Sequence, residues 1–422
     1  MNRPDMKRMP KRGNPMEAQT ALLKAVASLK LQTEVIGLEH AVGRVLAKNV
    51  FSKVNIPGYD KSFIDGYAIR SKDTTEASTA KPVTFKVVGK LFPTDYSSAL
   101  SVESGEAVYV ACGAPIPKGA SATVKVEETR LGDDKIEVVR AIQDGEGIIP
   151  LGDDVKHGEL ILRQGQILRP QDVGLLAQVG LSKAEVYKKP KIAILSGGDE
   201  LIKQSQKAPQ KISNNYALVV AQLVIELGAD AELKGIMADS LGQVEARIRQ
   251  ALSEADVVIT IGGTSMGVKD FVPDAIDNLG KPGVVVQGIA LRPGAVSGFG
   301  IVNGKPIIML PGHIGSCIAG FYHFVAPTIR VLSGAQRNTF LPTLIAELSE
   351  SVDSGPQFKF LMLNIKRVDF GFVAEPVEGG SSALSTIVKT NGYTLIPSHT
   401  TLSKSKKVTV HLFGKLEMSQ II

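Results

Sequence analysis

The stretch VVITIGGTSMGVKD, residues 257–270, decides the fold. It begins as a buried strand and breaks into Gly262, Gly263, Thr264, Ser265 and Gly267. Glycines let backbone N–H groups approach a ligand closely, and the two hydroxyls add donors. Such a loop at the carboxyl end of a parallel strand is where open α/β sheets bind ligands. A phosphate or another oxyanion is the natural guest of N–H groups and a helix N-terminus. A plain strand–helix turn has the same composition, so the loop alone leaves both readings open.

Outward from that loop, strand and helix alternate. KIAILSGG (191–198) is an apolar run ending in glycines, and a helix follows over 216–227, closed by Gly228. A strand at 232–236 precedes Ser240, which stands three residues before Gln243 at capping-box spacing. Strands follow at 284–289, 298–302 and 306–310, then a helix over 316–332. The alternation predicts a mostly parallel sheet with helices on both faces. The apolar stretch 314–332 contains His323, Pro327 and Arg330, so it reads as a buried helix and not a membrane span.

Upstream, 15–48 reads as helical, with Leu22, Leu23, Val26 and Leu29 at helical spacing. Residues 53–69 read as extended, and short β runs at 83–88, 107–110, 123–126 and 136–139 predict a small β domain. GELILRQGQIL (158–168) resembles a hairpin; Pro170 opens a helix and Gly180 ends it. Runs at 359–365, 393–396 and 407–413 predict a C-terminal β-barrel. The expected division is a disordered tail 1–14, a discontinuous helical domain of 15–50 and 150–188, and an inserted β domain 51–149. An α/β domain 189–335 and a barrel 338–422 complete it.

A chain of 422 residues has room for two to four domains. Hydrophobic content of 44% and charged content of 21% are those of a globular protein. Tryptophan is absent, which argues against stacking platforms for single-stranded nucleic acid, and no nucleic-acid motif is present. Cys112 and Cys317 form no C-x-x-C pair, which fits a reducing cytoplasm without a disulfide framework. The basic N-terminal residues lack the apolar core of a secretory signal. The net charge of +6 is dispersed, apart from a small cluster at 403–407, and suits an anionic small ligand.

Three carboxylates follow strands of the predicted sheet: Glu200 in SGGDEL, Asp239 before Ser240, and Asp270 closing the glycine loop. Each has a plainer reading. Asp270 could cap the next helix, Asp239 could complement a helix dipole, and Glu200 could be solvated. Gathered at one sheet edge, they would repel an anion unless a divalent cation intervened. Magnesium is bound through a few carboxylates and phosphate oxygens, so the set predicts a Mg²⁺–phosphate or Mg²⁺–oxyanion site. In LRPGAVSGFG (291–300), Arg292 offers a guanidinium fork to an anion. Asp65–Gly66 reads first as a hairpin turn, and GDDV (152–155) as another turn.

Taken together and in order, NIPGYDKSFIDGYAIR (55–70), CGAPIPKGA (112–120), GDDVKHGE (152–159), SGGDEL (196–201), GGTSMGVKDF (262–271), RPG (292–294) and LPG (310–312) resemble the molybdopterin molybdenumtransferase family, which includes bacterial MoeA proteins and the gephyrin E domain. The resemblance implies an elongated helical domain, an inserted β domain, a Rossmann-like α/β domain that binds the pterin, and a C-terminal β-barrel. It implies insertion of molybdate or tungstate into adenylylated molybdopterin with release of AMP, with Mg²⁺ as cofactor. It also implies a cytoplasmic homodimer with the active site between subunits, and an adenylyltransferase partner. Glu200, Asp239 and Asp270 match acidic positions of that site and are the expected metal ligands; Asp65 and Asp154 match acidic positions of the same cleft, and Pro311 a proline of the pterin-side turn. Cys112 stands where bacterial members usually have Thr, Ala295–Val296 replaces Lys-Pro, and His313–Ile314 replaces Asn-Pro. The missing lysine removes an expected oxyanion contact. The rival readings are a related ATP-using adenylyltransferase and a non-catalytic cofactor carrier or scaffold.

Overall fold

The structure is a computed structural model that describes residues 12–96, 98–202, 212–265, 267, 270–336, 341–377 and 382–414. Met266, Val268 and Lys269 of the glycine loop, and residues 1–11 of the expected tail, lie outside the described residues. Packing divides the chain into two units: residues 1–47, 165–169 and 183–422 form one, and residues 48–164 with 170–182 the other. The expected helical domain of 15–50 and 150–188 is distributed over both.

The first unit is organised by a six-stranded sheet. Its order is Asp230–Met237, Lys191–Gly197, Val257–Ile261, Lys305–Leu310, Gly298–Val302, Pro282–Gln287. The first four strands pair in parallel; Gly298–Val302 alone runs against them, pairing antiparallel with both of its neighbours. Side chains alternate between faces with the two-residue period of a strand. Ile192, Ile194, Val257, Ile259, Ile308 and Leu310 enter one core. Ala193, Leu195, Val258, Ile307 and Met309 enter the other. Helices Asn215–Glu226 and Ile314–Gly320 cover the first face, while Leu241–Glu254 and Val272–Leu279 cover the second. The helical stretch from Ile314 to Leu332 contains a π-helical turn at Phe321–Val325 and is buried, as its composition requires. Among the described residues no helix is long and apolar enough to cross a membrane.

Helix Pro15–Ala27 joins the first core through Ala18, Leu22 and Val26. The expected helix over 15–48 is therefore corrected: it stops at Ala27, and Thr33–Gly37 is a strand paired antiparallel with Lys183–Tyr187. The β-branched residues of TEVIG pack better on a pleat than on a helix. The tail is shorter than expected at its inner end. Gly13 donates its N–H to the Gly288 carbonyl at 3.1 Å and accepts from the Ala290 N–H at 2.9 Å.

The C-terminal strands close a barrel. Phe358–Val368 pairs with both Gly371–Pro376 and Gly392–Ile396, and Thr343–Leu348 and Lys407–Leu412 complete the circuit. Leu361, Leu363 and Ile365 point into the barrel core, while Phe360 and Met362 face the α/β core. The long strand thus serves two cores through its alternation.

The second unit holds an open six-stranded sheet that includes Gly66–Ile69, Val83–Leu91, Glu106–Val110, Ala122–Lys125 and Lys135–Val138. Two expected hairpins are absent. Asp65–Gly66 links strands of different sheets: Lys61–Ser62 pairs with Ile148–Ile149, whereas Gly66–Ile69 lies in the large sheet. In 158–168, Leu160–Leu162 pairs with Val50–Phe51, and Ile167 bridges to Val45. Both segments alternate as hairpins do, but their pairing partners lie far away in sequence. Helix Pro170–Gln178 begins at its proline, and Gly180 ends it at φ 86°.

Candidate active site

Parallel order brings four strand ends to one edge of the sheet: 197, 237, 261 and 310. Three glycine turns meet there. The Gly262 N–H donates to the Leu310 carbonyl at 3.0 Å. A Cβ on Gly262 would lie 2.9 Å from the Gly197 carbonyl oxygen, and its φ is +79°. Only glycine fits a left-handed position with a backbone oxygen that close. Gly312 also approaches: a Cβ there would lie 3.6 Å from the Gly262 Cα.

These turns line a cavity of 1820 Å³. Pockets for drug-sized ligands run to roughly 300–1,000 Å³, so this one has room for something larger. Glu200, Asp239 and Asp270 all line it, together with Gly262, Gly263, Thr264, Ser265, Arg292 and the buried Pro311. The structure brings these nine residues of the expected site to one cavity. The barrel forms part of its wall, from Glu350 to Met362. The link is a short parallel pairing of Leu291–Arg292 with Phe358–Lys359, extended by the Phe358 N–H donating to the Ala290 carbonyl at 2.9 Å.

Each carboxylate has its own fixing. Asp270 Oδ2 accepts from the Gly267 N–H at 2.7 Å, and the Asp270 N–H donates to the Gly267 carbonyl at 3.0 Å. Asp270 thus closes the loop on itself and does not cap the next helix, whose cap position is Phe271. Gly267, also predicted for the site, is not among the lining residues, and its N–H is taken up by Asp270. Asp239 and Asp199 bridge neighbouring strand ends reciprocally: the Asp199 N–H donates to Asp239 Oδ2 at 3.3 Å, and the Asp239 N–H to Asp199 Oδ1 at 3.1 Å. Ser240 caps the following helix by position, with no hydrogen bond from its side chain. The Glu200 carboxylate folds back over Gly198; a Cβ on that glycine would sit 2.6 Å from it.

The cavity holds both signs of charge. Arg12 and Lys359 join Arg292 as lining cations, and Glu350 and Asp353 add to the carboxylates. Sequence reasoning missed Arg12, Asp199 and the barrel residues. Asp199, beside Glu200 in SGGDEL, was the one with a signal, since it also follows a strand end. Among the described residues no three His, Cys, Asp or Glu side chains form a cluster ready to hold a metal ion.

The other predicted residues lie in the second unit. Asp65 Oδ1 accepts from the Cys112 N–H at 3.0 Å, and Cys112 Sγ donates to the Phe63 carbonyl at 3.2 Å. Gly66 must be glycine, because a Cβ would fall 2.2 Å from the Val124 carbonyl oxygen. Asp154 is exposed and accepts from Gln178 Nε2 at 3.3 Å. Cys112 is exposed, whereas Cys317 is buried in the first unit, where burial pushes its thiol up to about 12 and leaves it inert.

Comparison with known proteins gives a consistent answer over most of the chain. Residues 14–180 match the model of the MoeA N-terminal region (domain I and II), 193–331 that of a probable molybdopterin binding domain, and 346–413 that of the MoeA C-terminal region (domain IV). A Bacillus subtilis protein named molybdopterin molybdenumtransferase is 31% identical over 87% of each chain. A Methanocaldococcus jannaschii protein named as a putative molybdopterin biosynthesis protein is 30% identical, over 89% of this chain and 91% of that one. The crystal structure of the molybdopterin biosynthesis MoeA protein from Pyrococcus horikoshii superposes with a TM-score of 0.83 at 29% identity, covering 95% of this chain and all of that one.

Proposed function

The chain belongs to the molybdopterin molybdenumtransferase (MoeA) family, and on that premise we propose that it acts in molybdenum-cofactor biosynthesis, inserting molybdate or tungstate into adenylylated molybdopterin with release of AMP. The observation that carries this reading is the convergence of Glu200, Asp239 and Asp270 with the Gly262–Ser265 turn on one large cavity.

The substrate is polyanionic, and the cavity separates its tasks. Backbone N–H groups of the glycine turns and the Thr264 and Ser265 hydroxyls bind phosphate or pterin polar atoms. Pro311 and Gly312 shape the wall beside them. Arg292 neutralises an oxyanion. Among the described residues no metal cage is built, but magnesium takes one or two carboxylates and fills its shell with phosphate oxygens and water. Glu200, Asp239 and Asp270 suit that kind of site, completed by the ligand. Bound there, Mg²⁺ offsets negative charge on the phosphate. Asp270 keeps its loop closed, so the Gly263 N–H and the Thr264 and Ser265 hydroxyls are preorganised before the ligand arrives, while the Gly262 and Gly267 N–H groups hold the turn itself.

Asp65, Cys112 and Asp154 complete the site from a second copy in a cytoplasmic homodimer, and an adenylyltransferase supplies the adenylylated pterin. The test is a single assay. Purified protein receives adenylylated molybdopterin, Mg²⁺ and either molybdate or tungstate, and AMP and pterin-bound metal are both quantified. Equimolar AMP and inserted metal are expected. Pterin bound tightly without AMP release would replace this reading, as would, in a parallel assay supplied with ATP and unadenylylated molybdopterin, ATP consumption with pyrophosphate release and no need for a metal oxyanion.

A further inference from the structure

We propose that Arg12, from the segment ahead of the first helix, is an oxyanion-binding residue of this cavity, acting with Arg292 on a tetrahedral dianion. The argument begins with anchoring. Gly13 is held to Gly288 and Ala290 by two backbone hydrogen bonds. Asn14 caps helix Pro15–Ala27, its Oδ1 accepting from the Met16 and Glu17 N–H groups at 2.9 and 3.4 Å. The next residue, Pro15, is buried, and its carbonyl accepts from the His323 ring. A residue immediately before so constrained a triplet has a defined place.

That place is beside the RPGAV turn. A Cβ built on Gly288 would lie 3.2 Å from the Ala295 carbonyl oxygen and 3.8 Å from Arg12 Cγ. The Arg12 stem therefore runs over Gly288 next to Ala295, and the residue lines the cavity together with Arg292, Ala295 and Val296. Among the described residues neither Arg12 nor Arg292 has a carboxylate partner. Lys359, the third lining cation, has its Nζ donating to the Asp353 carbonyl at 3.1 Å. Two guanidinium groups free of carboxylates in one cavity match a tetrahedral dianion, because each presents a planar fork of donors. Residues 291–296 offer a single cation of their own, Arg292, and Arg12 adds the second from the opposite end of the chain.

This inference rests on the anionic ligand of the proposed function, although the dianion itself has two sources: a free metal oxyanion, or a phosphate of the larger substrate. Equilibrium binding separates them. Molybdate and tungstate, both tetrahedral dianions, and pyrophosphate, a polyanion of two linked tetrahedral phosphates, are each titrated against the wild-type protein, Arg12→Ala and Arg12→Lys, with thermal melting as a folding control. Arg12→Ala is expected to weaken binding of one class, the metal oxyanions or pyrophosphate, by about tenfold to a hundredfold, the scale of a lost charge-assisted hydrogen bond. Arg12→Lys recovers part of that loss and steepens no melting change, since residue 12 is exposed. Loss confined to molybdate and tungstate assigns Arg12 to the metal oxyanion; loss confined to pyrophosphate assigns it to the phosphate. Unchanged affinity of Arg12→Ala for all three, or no dianion binding by the wild-type protein, overturns the inference. A protein that binds dianions through Arg12 yet releases no AMP would keep the inference and overturn the proposed reaction instead.

Discussion

The two charged sides of the cavity are built in opposite ways. On the carboxylate side, Asp270 is tied to Gly267 three residues away, and Asp239 to Asp199 across neighbouring strand ends. On the cationic side, Arg292 sits where residues 291–292 pair with 358–359, and Arg12 where residue 13 pairs with 288–290. The first side follows from strand order alone. The second exists only when the barrel and the N-terminal segment have both docked on the sheet. A local site survives partial loosening of the molecule; a site gathered from distant segments is lost with any one of them.

The largest expected effect breaks the carboxylate side alone. Asp270→Ala removes both a lining charge and the acceptor that closes the glycine loop. AMP release should fall by about a thousandfold, the upper range for losing one preorganised electrostatic group. Melting should change little, because Asp270 is only half-buried and belongs to no core. Binding of molybdate should stay near the wild-type value, because the cations do that work. A variant that turns over normally would remove Asp270 from the site.

A smaller effect should appear when the cationic side is loosened from behind. Leu22 is fully buried where helix Pro15–Ala27 meets the α/β core. Leu22→Ala should cost roughly 3 kcal/mol, a transfer loss plus a cavity. The unfolding of this unit in urea measures it. The same variant should bind dianions more weakly, because the helix carries the segment that ends in Arg12. Weakened stability with untouched dianion binding would show that the segment holds its place without the helix.

The contrast also explains what was legible in the sequence. The α/β alternation and its carboxylates were, because a strand end followed by Gly and Asp records a local event. The strand run 257–261 and the turn after it were read correctly for that reason. The barrel runs at 359–365 and 393–396 were legible as strands, but their place along the cavity was not, since Phe360 and Met362 carry no mark of facing another core. The 33–37 strand was masked by a helical neighbour, and its partner at 183–187 lies about 150 residues downstream. Arg12 looked like one more charge in a basic tail. Its neighbour Gly13 gave no sequence signal for pairing with Ile289, 276 residues away, which only the tertiary fold supplies.

The smallest effect concerns pH and the same docked helix. His323 is buried in the π-helical turn, and its Nε2 lies 2.8 Å from the Pro15 carbonyl oxygen. A carbonyl only accepts, so Nε2 carries the proton and the neutral ring donates it. The Gln19 amide donates to the His323 carbonyl at 2.6 Å, doubling the link. Burial holds the imidazole below its ordinary value of 6.5, with the Pro15 contact opposing only in part. The unfolded chain therefore takes up a proton before the folded one does. The stability this histidine contributes is whole above pH 6.5 and is lost as the pH falls below it. His323→Gln keeps a donor for Pro15 and has nothing to titrate. Melting temperatures of the two proteins from pH 8 down to pH 5.5 provide the test, and the wild type should lose more than the variant over that span. Parallel curves would mean that His323 does not report the docking of the helix that carries Arg12, and the cationic side would then be as insensitive to acid as the rest of the fold.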